Sequence, residues 1–250
     1  PMLAGSLLQQ CYNIADTLIV GQCIGANALA AVGSAYTLMV FLISILLGLS
    51  MGSGTVFSLQ YGAGDLSALR RSIYVSLLLI GTVTILLNVA VFLWLDPILR
   101  WLQVPYDIYS LMRNYLWIIF WGIVFTFLYN FYAALLRAVG DSVTPLWFLA
   151  VSVVLNIGLD LFLILVLDQG IEGAAVATVI AQGTAASGIL LYTYKTRPEL
   201  RLHREDMCFD RSSLREITSF STLTCVQQSV MNFGILMVQG LVNSFGTVVM

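Results

Sequence analysis

The sequence predicts an all-α polytopic membrane protein. Hydrophobic residues make up 59% of its 250 residues and charged residues only 10%, whereas soluble domains carry about 25% charged residues. The apolar residues fall in runs of about 20 or more, the length that a helix needs to cross the hydrocarbon core of a bilayer. A net charge of -2 offers no basic surface for nucleic acid, so we expect no nucleic-acid partner.

Seven helices are predicted from the turn-forming residues that interrupt the apolar runs. In chain order they cover about Pro1–Ile24, Leu29–Tyr61, Ser72–Leu95, Ile108–Leu136, Thr144–Leu167, Ile171–Tyr194 and Leu214 to the end. The second ends at "YGAGD", the third at "LDP" and the fifth at "DQG". A polar stretch, "KTRPELRLHREDMCFDRSS", separates the sixth helix from the seventh.

The Lys and Arg residues predict how these helices are oriented, because cytoplasmic loops carry an excess of them. Nine of the eleven follow the second, fourth and sixth helices: Arg70, Arg71, Arg137, Lys195, Arg197, Arg201, Arg204, Arg211 and Arg215. Arg100 and Arg113 lie on the other side, among acidic residues. We therefore expect a multi-pass protein of the cytoplasmic membrane whose N-terminus lies in the cytoplasm.

The seventh helix resembles the first, which predicts two similar halves. The matched pairs, all 218 positions apart, are Gln9 with Gln227, Gln10 with Gln228, Leu18 with Leu236 and Val20 with Val238. An even number of helices separates the two, so both run in the same direction, as in transporters built from parallel repeats. Asp16 falls opposite Gly234, so its carboxylate does not belong to the repeated pattern.

The repeat predicts three parts in the chain. Residues 1–194 form a six-helix N-terminal transmembrane lobe, 195–213 a cytoplasmic linker between lobes, and 214–250 the first helix of a truncated C-terminal lobe. Because the sequence begins at Pro1 and stops at Met250 inside an apolar run, we expect a fragment of a longer protein.

Two aspartates lie well inside predicted helices, Asp16 in the first and Asp160 in the fifth. A charged Asp at the centre of a membrane helix costs about 2.5–3.5 kcal/mol on insertion scales, so such residues usually face a cavity or a partner. Asn156 lies four residues before Asp160, on the same helical face. In the sixth helix Thr178 belongs to a face of small residues that permits close helix approach.

Carboxylate, amide and hydroxyl oxygens are the ligands of hard cations. We therefore predict that Asp16, Asn156, Asp160 and Thr178 form a cation-coupling site, which would ligate Na⁺ if sodium is the coupling ion. Two carboxyl groups held close could instead share a proton. The alternative is that each aspartate lies near a membrane surface and that Thr178 only holds helices together.

Further polar residues share the faces of these helices. Gln9, Tyr12 and Asn13 lie on the face of Asp16, and Gln182 follows Thr178 by four residues. We expect these four side chains to line a substrate cavity, in which Tyr12 could contact flat cations through its ring. The alternative is that Gln182 binds neighbouring helices together and that Tyr12 is a packing residue.

Three stretches of the chain resemble the multidrug and toxic compound extrusion (MATE) transporters. They are "YNIADTLIVGQCIGANALAAVG" with the preceding Pro1, "RAVGDSVTP" at Arg137–Pro145, and "LNIGLD" followed by "GIEGAAVAT" within Leu155–Thr178. They occur in the order and spacing of the family, and the resemblance covers essentially the whole chain.

This resemblance implies two six-helix lobes around a central cavity and a transporter, not an enzyme. It implies a monomer that exports lipophilic, often cationic, drugs and toxic compounds across the bilayer against Na⁺ or H⁺ entry, with no cofactor besides that ion. It equates Pro1 with a hinge in the first helix, and Asp16, Asn156, Asp160 and Thr178 with the cation site. Aspartate at position 160 resembles the DinF-like branch.

Two other functions are weighed against this one. A flippase for lipid-linked saccharides, from the same superfamily, would line its cavity with basic residues, yet only Arg113 could enter one here. An intramembrane aspartyl protease would use "YD" at Asp107 and "GD" at Asp141, but these aspartates fall on opposite sides of the membrane and the first glycine of GxGD is missing. The sequence does not distinguish Na⁺ from H⁺.

Overall fold

The computed structural model describes residues 2–203, 206 and 210–244, without the side chains of 2–4, 6, 9–11, 243 and 244. The described chain is helical throughout its membrane part. Its α-helices are α1 (Met2–Cys23), α2 (Ala26–Gly62), α3 (Leu66–Trp101), α4 (Tyr106–Trp121), α5 (Ile123–Ala138), α6 (Thr144–Leu161), α7 (Gly170–Thr196) and α8 (Arg211–Ser244). A π-helical segment, Phe162–Val166, continues α6, and a 3₁₀ turn, Pro198–Leu200, follows α7. The prediction of an all-α polytopic protein is confirmed.

Within the described residues, five of these helices are long and apolar enough to cross a membrane. The count is six when α4 and α5, which are bent by 48° at their junction, are taken as one span. The remaining helix, α1, carries the polar residues Asn13 and Asp16 and does not meet this criterion of length and hydropathy. The second to seventh predicted spans thus occur in the predicted order, whereas the first is a helix that falls short of the criterion.

The predicted fourth helix, Ile108–Leu136, is divided into α4 and α5 by a break at Gly122. A Cβ atom on Gly122 would lie 2.8 Å from a methyl group of Val179 in α7. The absence of a side chain thus lets the break approach α7 closely. Asn88 of α3 donates from Nδ2 to the carbonyl oxygen of Phe120 over 2.9 Å and so satisfies a backbone group beside the break.

The third span is longer than predicted at both ends. It begins at Leu66 because Asp65 caps it, accepting a hydrogen bond from the backbone N–H of Ala68 over 2.9 Å. It does not stop at "LDP" but bends at Trp94, whose φ of -113° and ψ of 16° are not helical. Pro97 lacks a backbone N–H, and prolines inside helices kink them in this way.

Helix α2 lies at the centre of the bundle and packs against α1, α3, α4, α5 and α8. Its contact with α8 is the most extensive of any helix pair in the described chain. A Cβ atom on Gly48 would lie 2.4 Å from Cα of Cys225, and one on Gly52 would lie 2.3 Å from Cα of Ser221. The two backbones therefore touch where α2 has no side chains, as small residues allow in membrane helices.

The contact continues toward the start of α2. Phe41 lies against Phe233 with ring centroids 5.8 Å apart, and Gln239 donates from Nε2 to Oγ of Ser34 over 3.2 Å. We call this line of contacts, from Gly52 to Ser34 on α2 and from Ser221 to Gln239 on α8, the α2–α8 seam.

The connection between α7 and α8 covers 197–210, slightly less than the predicted linker of 195–213, because both flanking helices extend into it. Its described part lies against the bundle. Arg197 pairs with Asp141 at 3.7 Å and Arg70 with Asp206 at 3.0 Å, and Leu200 is buried. Burial raises the pKa of the Asp206 carboxyl, but hydrogen bonding and the charge of Arg70 outweigh it and lower that pKa below its ordinary value.

Candidate functional site

The four residues predicted to couple cations lie together where α1, α6 and α7 meet. Helix α6 packs against both α1 and α7. Asn156 and Asp160 on α6 are fully buried, Thr178 on α7 is 4% exposed and Asp16 on α1 is 9% exposed. The spacing of four residues between Asn156 and Asp160 turns both side chains to the same side of α6.

The side chains of Asp16 and Asp160 contact each other. Two carboxylates cannot both be charged at such a separation in a buried place without a strong repulsion. The pair is therefore stable in two states: one carboxyl group carries a proton and donates it to the other, or a cation lies with both. Either state lowers the net negative charge that α1 and α6 hold inside the membrane.

Thr178 joins the three helices through its hydroxyl group. Asn156 of α6 donates from Nδ2 to Oγ1 of Thr178 over 3.3 Å. The hydroxyl groups of Tyr12, on α1, and Thr178 are also 3.3 Å apart. Because one hydroxyl serves both contacts, Thr178 fixes the distance between α1 and the polar face of α6.

Apart from the mutual contact of the two carboxyl groups, four buried oxygen atoms of this cluster have no hydrogen-bond partner within the described part of the chain. They are Oδ1 of Asp16, Oδ1 of Asn156, and Oδ1 and Oδ2 of Asp160. Buried acceptors are almost always paired, and each unpaired one costs about 1–3 kcal/mol. A proton or a hard cation would supply the missing partner of these acceptors. Carboxylate and amide oxygens are the ligand types that a hard cation such as Na⁺ requires.

Tyr115 belongs to the same cluster, and sequence reasoning missed it. It lies on α4, is 4% exposed, and is close enough to Asp16, Tyr12 and Asp160 to interact with them electrostatically. A tyrosine in the middle of an apolar span was the available signal. Its direction could not be predicted because the chain bends by 48° between α4 and α5, which no pattern in the sequence indicates.

Two of the residues predicted to line a cavity make other contacts. Asn13 donates from Nδ2 to the hydroxyl oxygen of Tyr36 in α2 over 3.0 Å. Gln182 accepts a hydrogen bond from the Thr126 hydroxyl group of α5, so it links α5 to α7, as the alternative interpretation expected. Pro1 and the side chain of Gln9 lie outside the described residues.

The π-helical segment begins two residues after Asp160. Its backbone is wider than an α-helix, and such segments are frequent at functional sites. A Cβ atom on Gly173 of α7 would lie 3.2 Å from Cβ of Leu163, so α7 leaves little room for the segment to shift. The end of α6 that carries Asp160 is therefore held firmly against α7.

The aspartates of the protease interpretation do not meet. Asp107 lies in the first turn of α4 and is exposed, and Asp141 follows the end of α5. With α4 and α5 taken as one span, the two carboxyl groups lie at its opposite ends. Asp141 also accepts hydrogen bonds from the backbone N–H and hydroxyl group of Thr144, over 3.0 and 2.8 Å.

Comparisons with known proteins agree with this architecture. A family model described as MatE matches residues 1–162. The probable multidrug resistance protein YpnP of Bacillus subtilis is 34% identical over 246 residues, which are 98% of this chain and 55% of that protein. The multidrug export protein MepA of Staphylococcus aureus is 32% identical over 203 residues, or 78% and 43% of the two chains. The chain thus spans about half the length of these curated relatives.

Solved structures show the same fold. An outward-facing multidrug resistance MATE family transporter matches with a TM-score of 0.87 and 24% identity, over 94% of this chain and 52% of that one. An inward-facing transporter of that family matches with a TM-score of 0.86 and 23% identity, over 96% and 54% of the two chains. Since the family model matches more than half of its residues, this chain belongs to the MATE family of membrane transporters.

Proposed function

We propose that the full-length protein is an antiporter that exports lipophilic, often cationic, drugs or toxic compounds and is driven by entry of Na⁺ or H⁺. The observation that carries this proposal is the contact between the buried side chains of Asp16 and Asp160. The printed names of the relatives, which describe multidrug resistance and multidrug export, support the substrate class. Asp16, Asn156, Asp160 and Thr178 form the coupling site.

The coupling follows from the charge of the pair. Asp16 and Asp160, open to the outside, take up a proton or Na⁺ and lose net negative charge. This removes their attraction for a cationic substrate and changes the hydrogen bonds that hold α1 at Thr178. Helix α1 then moves, with Pro1 as its hinge, and the substrate leaves outward. Release of the ion to the cytoplasm resets the site while the two lobes alternate in access.

We further propose that the protein lies in the cytoplasmic membrane as a monomer with its N-terminus in the cytoplasm. The ends of α5 and α7 and the starts of α3 and α8 carry the basic residues. Ion pairs of Arg70 with Asp206 and of Arg197 with Asp141 tie these ends to the same connection. Cytoplasmic connections carry such an excess of Lys and Arg.

The flippase alternative finds little support. Arg113, the basic residue that could have served a phosphate headgroup in the first lobe, donates from Nε to Oδ1 of Asp96 over 2.9 Å. Its charge is thus balanced by a neighbour at the end of α3.

Asp16→Asn and Asp160→Asn in the full-length protein test the proposal. Each substitution keeps the shape of the side chain but removes a titratable group, so we expect cells that express either variant to lose drug resistance. Purified protein in vesicles should show the same loss of ion-driven substrate efflux. Asp107→Asn, at an exposed position, is the matched control and should keep full activity. Drug resistance equal to that of the wild type in both variants, at equal expression, would contradict the proposal.

A further inference from the structure

A cavity of about 210 Å³ opens at the basic end of the bundle. It lies between α3, α5, α7 and the connection that follows α7. Its walls are mostly aliphatic, from Ile73, Leu135, Leu190 and Leu200, with Tyr132 among them and Arg201 at its edge. Each helical wall residue lies within about two turns of a helix end, so the cavity is at the depth where a lipid headgroup meets the acyl chains.

Arg201 is held in place at this edge by two contacts with one residue. Its Nε donates to the carbonyl oxygen of Tyr194 over 2.7 Å, and its guanidinium carbon lies 4.6 Å from the centroid of the Tyr194 ring. In the described part of the chain no carboxylate forms an ion pair with Arg201. The guanidinium plane is therefore fixed while its terminal nitrogens still have N–H groups to donate.

The surroundings indicate a membrane surface. Tyr194 is 60% exposed, and half-exposed tyrosines at helix ends are typical of the headgroup region. Lys195 follows it and is also exposed. An arginine with free donors and a neighbouring lysine attract a phosphate and disfavour a headgroup that carries its own positive charge.

We infer that this cavity binds an anionic phospholipid, with the phosphate on Arg201 and the beginning of one acyl chain against Leu190 and Leu135. A rigid guanidinium matches the geometry of a phosphate, which can accept two parallel hydrogen bonds from it. Basic residues beside membrane helices attract anionic lipids through the same chemistry. The inference rests on the chain lying in a membrane and does not depend on the proposed coupling site.

A simpler role for Arg201 would be to cap the C-terminal end of α7, since Arg side chains often bond the last carbonyl groups of a helix. That role explains the hydrogen bond to the carbonyl oxygen of Tyr194, but it does not explain why a cavity lies beside Arg201. The two roles differ in a measurable way: a cap affects stability alike in every lipid, whereas a binding site distinguishes lipids by their headgroup.

Native mass spectrometry of the detergent-solubilised full-length protein measures the binding directly. The probes are phosphatidylglycerol and phosphatidylcholine with the same acyl chains. We expect the wild type to prefer phosphatidylglycerol and Arg201→Gln to weaken that binding by about tenfold, the loss typical of one charge-assisted hydrogen bond. The matched control is Arg215→Gln, which removes an exposed arginine from α8, outside the cavity, and should leave binding unchanged.

A second variant tests the acyl chain. Leu190→Trp fills the cavity and should weaken phosphatidylglycerol binding while Arg201 is intact. Equal binding of the two lipids by the wild type would overturn the inference, as would unchanged lipid binding in Arg201→Gln. Competition by inorganic phosphate at the same concentration as the lipid would also overturn it, because it would identify a soluble phosphate as the ligand. Drug efflux need not change in any of these variants.

Discussion

At the scale of single residues, the hydroxyl group of Thr178 connects the acidic pair to its surroundings. It accepts a hydrogen bond from the side-chain amide of Asn156 and lies within hydrogen-bonding distance of the hydroxyl group of Tyr12. Thr178 is on α7, whereas Asn156 is on α6 and Tyr12 is on α1. A change at this atom therefore alters the position of α1 and the orientation of Asn156 together. The unpaired Oδ1 of Asn156 keeps its direction only while Nδ2 is bonded.

Thr178→Val removes this hydroxyl group and keeps the shape of the side chain. We expect it to lower stability by about 1 kcal/mol, the usual net value of a hydrogen bond, and to weaken the dependence of transport on Na⁺ or on pH. Thermal unfolding and substrate efflux measured across ion concentrations check the two effects. Thr184→Val is the control on the same helix, because that exposed hydroxyl donates to the carbonyl oxygen of Ile180 in its own helix. Equal ion dependence in both variants would contradict the role of Thr178.

The residues of the acidic pair and its partners could be predicted from the sequence, but their neighbours could not. Asp16 and Asp160 are unusual inside apolar helices, and the spacing of Asn156 to Asp160 fixes a shared face. Tyr115 gives a much weaker signal than a buried aspartate, since tyrosine is common in membrane helices. Gln182 was expected beside the cavity because it follows Thr178 by one turn, yet that turn brings it to Thr126 of α5.

At the scale of helices, the α2–α8 seam depends on two positions of α2 that have no side chain. Gly48 and Gly52 lie four residues apart, on one face, and each meets the backbone of α8 directly. Gly54 lies on another face, where a Cβ atom would be 3.5 Å from Cβ of Ala134, an ordinary contact distance. Gly48 and Gly52 are therefore needed for the close approach of α2 to α8, whereas Gly54 is not needed for the contact with Ala134.

Gly52→Ala should separate α2 from α8, because the added carbon would overlap backbone atoms that cannot rotate away. Overpacking of this kind costs about 1–3 kcal/mol, which should lower the thermal unfolding temperature of the purified protein. Gly54→Ala is the matched control: it fits without overlap and should be neutral or slightly stabilising, since Ala favours helix over Gly. Similar unfolding temperatures for both variants would show that the backbones do not touch at Gly52.

Helix existence and order were predictable, whereas bends were not. Apolar runs reveal where a chain crosses a membrane, but a bend arises from neighbours in space. The span breaks at Gly122, where the missing side chain leaves room for Val179 of α7. Helix α3 bends at Trp94 and continues to Trp101, although it was expected to stop at Leu95. The cap at Asp65 lengthened α3 because "YGAGD" both closes one helix and starts the next.

At the scale of the whole molecule, the basic connection and the helix order predict which ends face the cytoplasm. Cys23 ends α1 and is exposed, while Cys225 is half-buried in the seam. With the proposed orientation, Cys23 lies outside the cell. A membrane-impermeant thiol reagent applied to intact cells should therefore label wild-type protein but not Cys23→Ser. Labelling of Cys23 only after the membrane is permeabilised would mean that the orientation is reversed.

The seam also extends over most of the thickness of a membrane. Gly52 and Ser34 are 18 positions apart, about 27 Å along a helix at 1.5 Å per residue, which is close to the roughly 30 Å of the hydrocarbon core. Backbone contact, paired aromatic rings and side-chain hydrogen bonds follow one another over that distance. These contacts therefore join α2 to α8 over a length close to the thickness of the hydrocarbon core. Helix α1, which carries Asp16, packs on α2, α6 and α7, so the proposed movement of α1 would take place outside the seam.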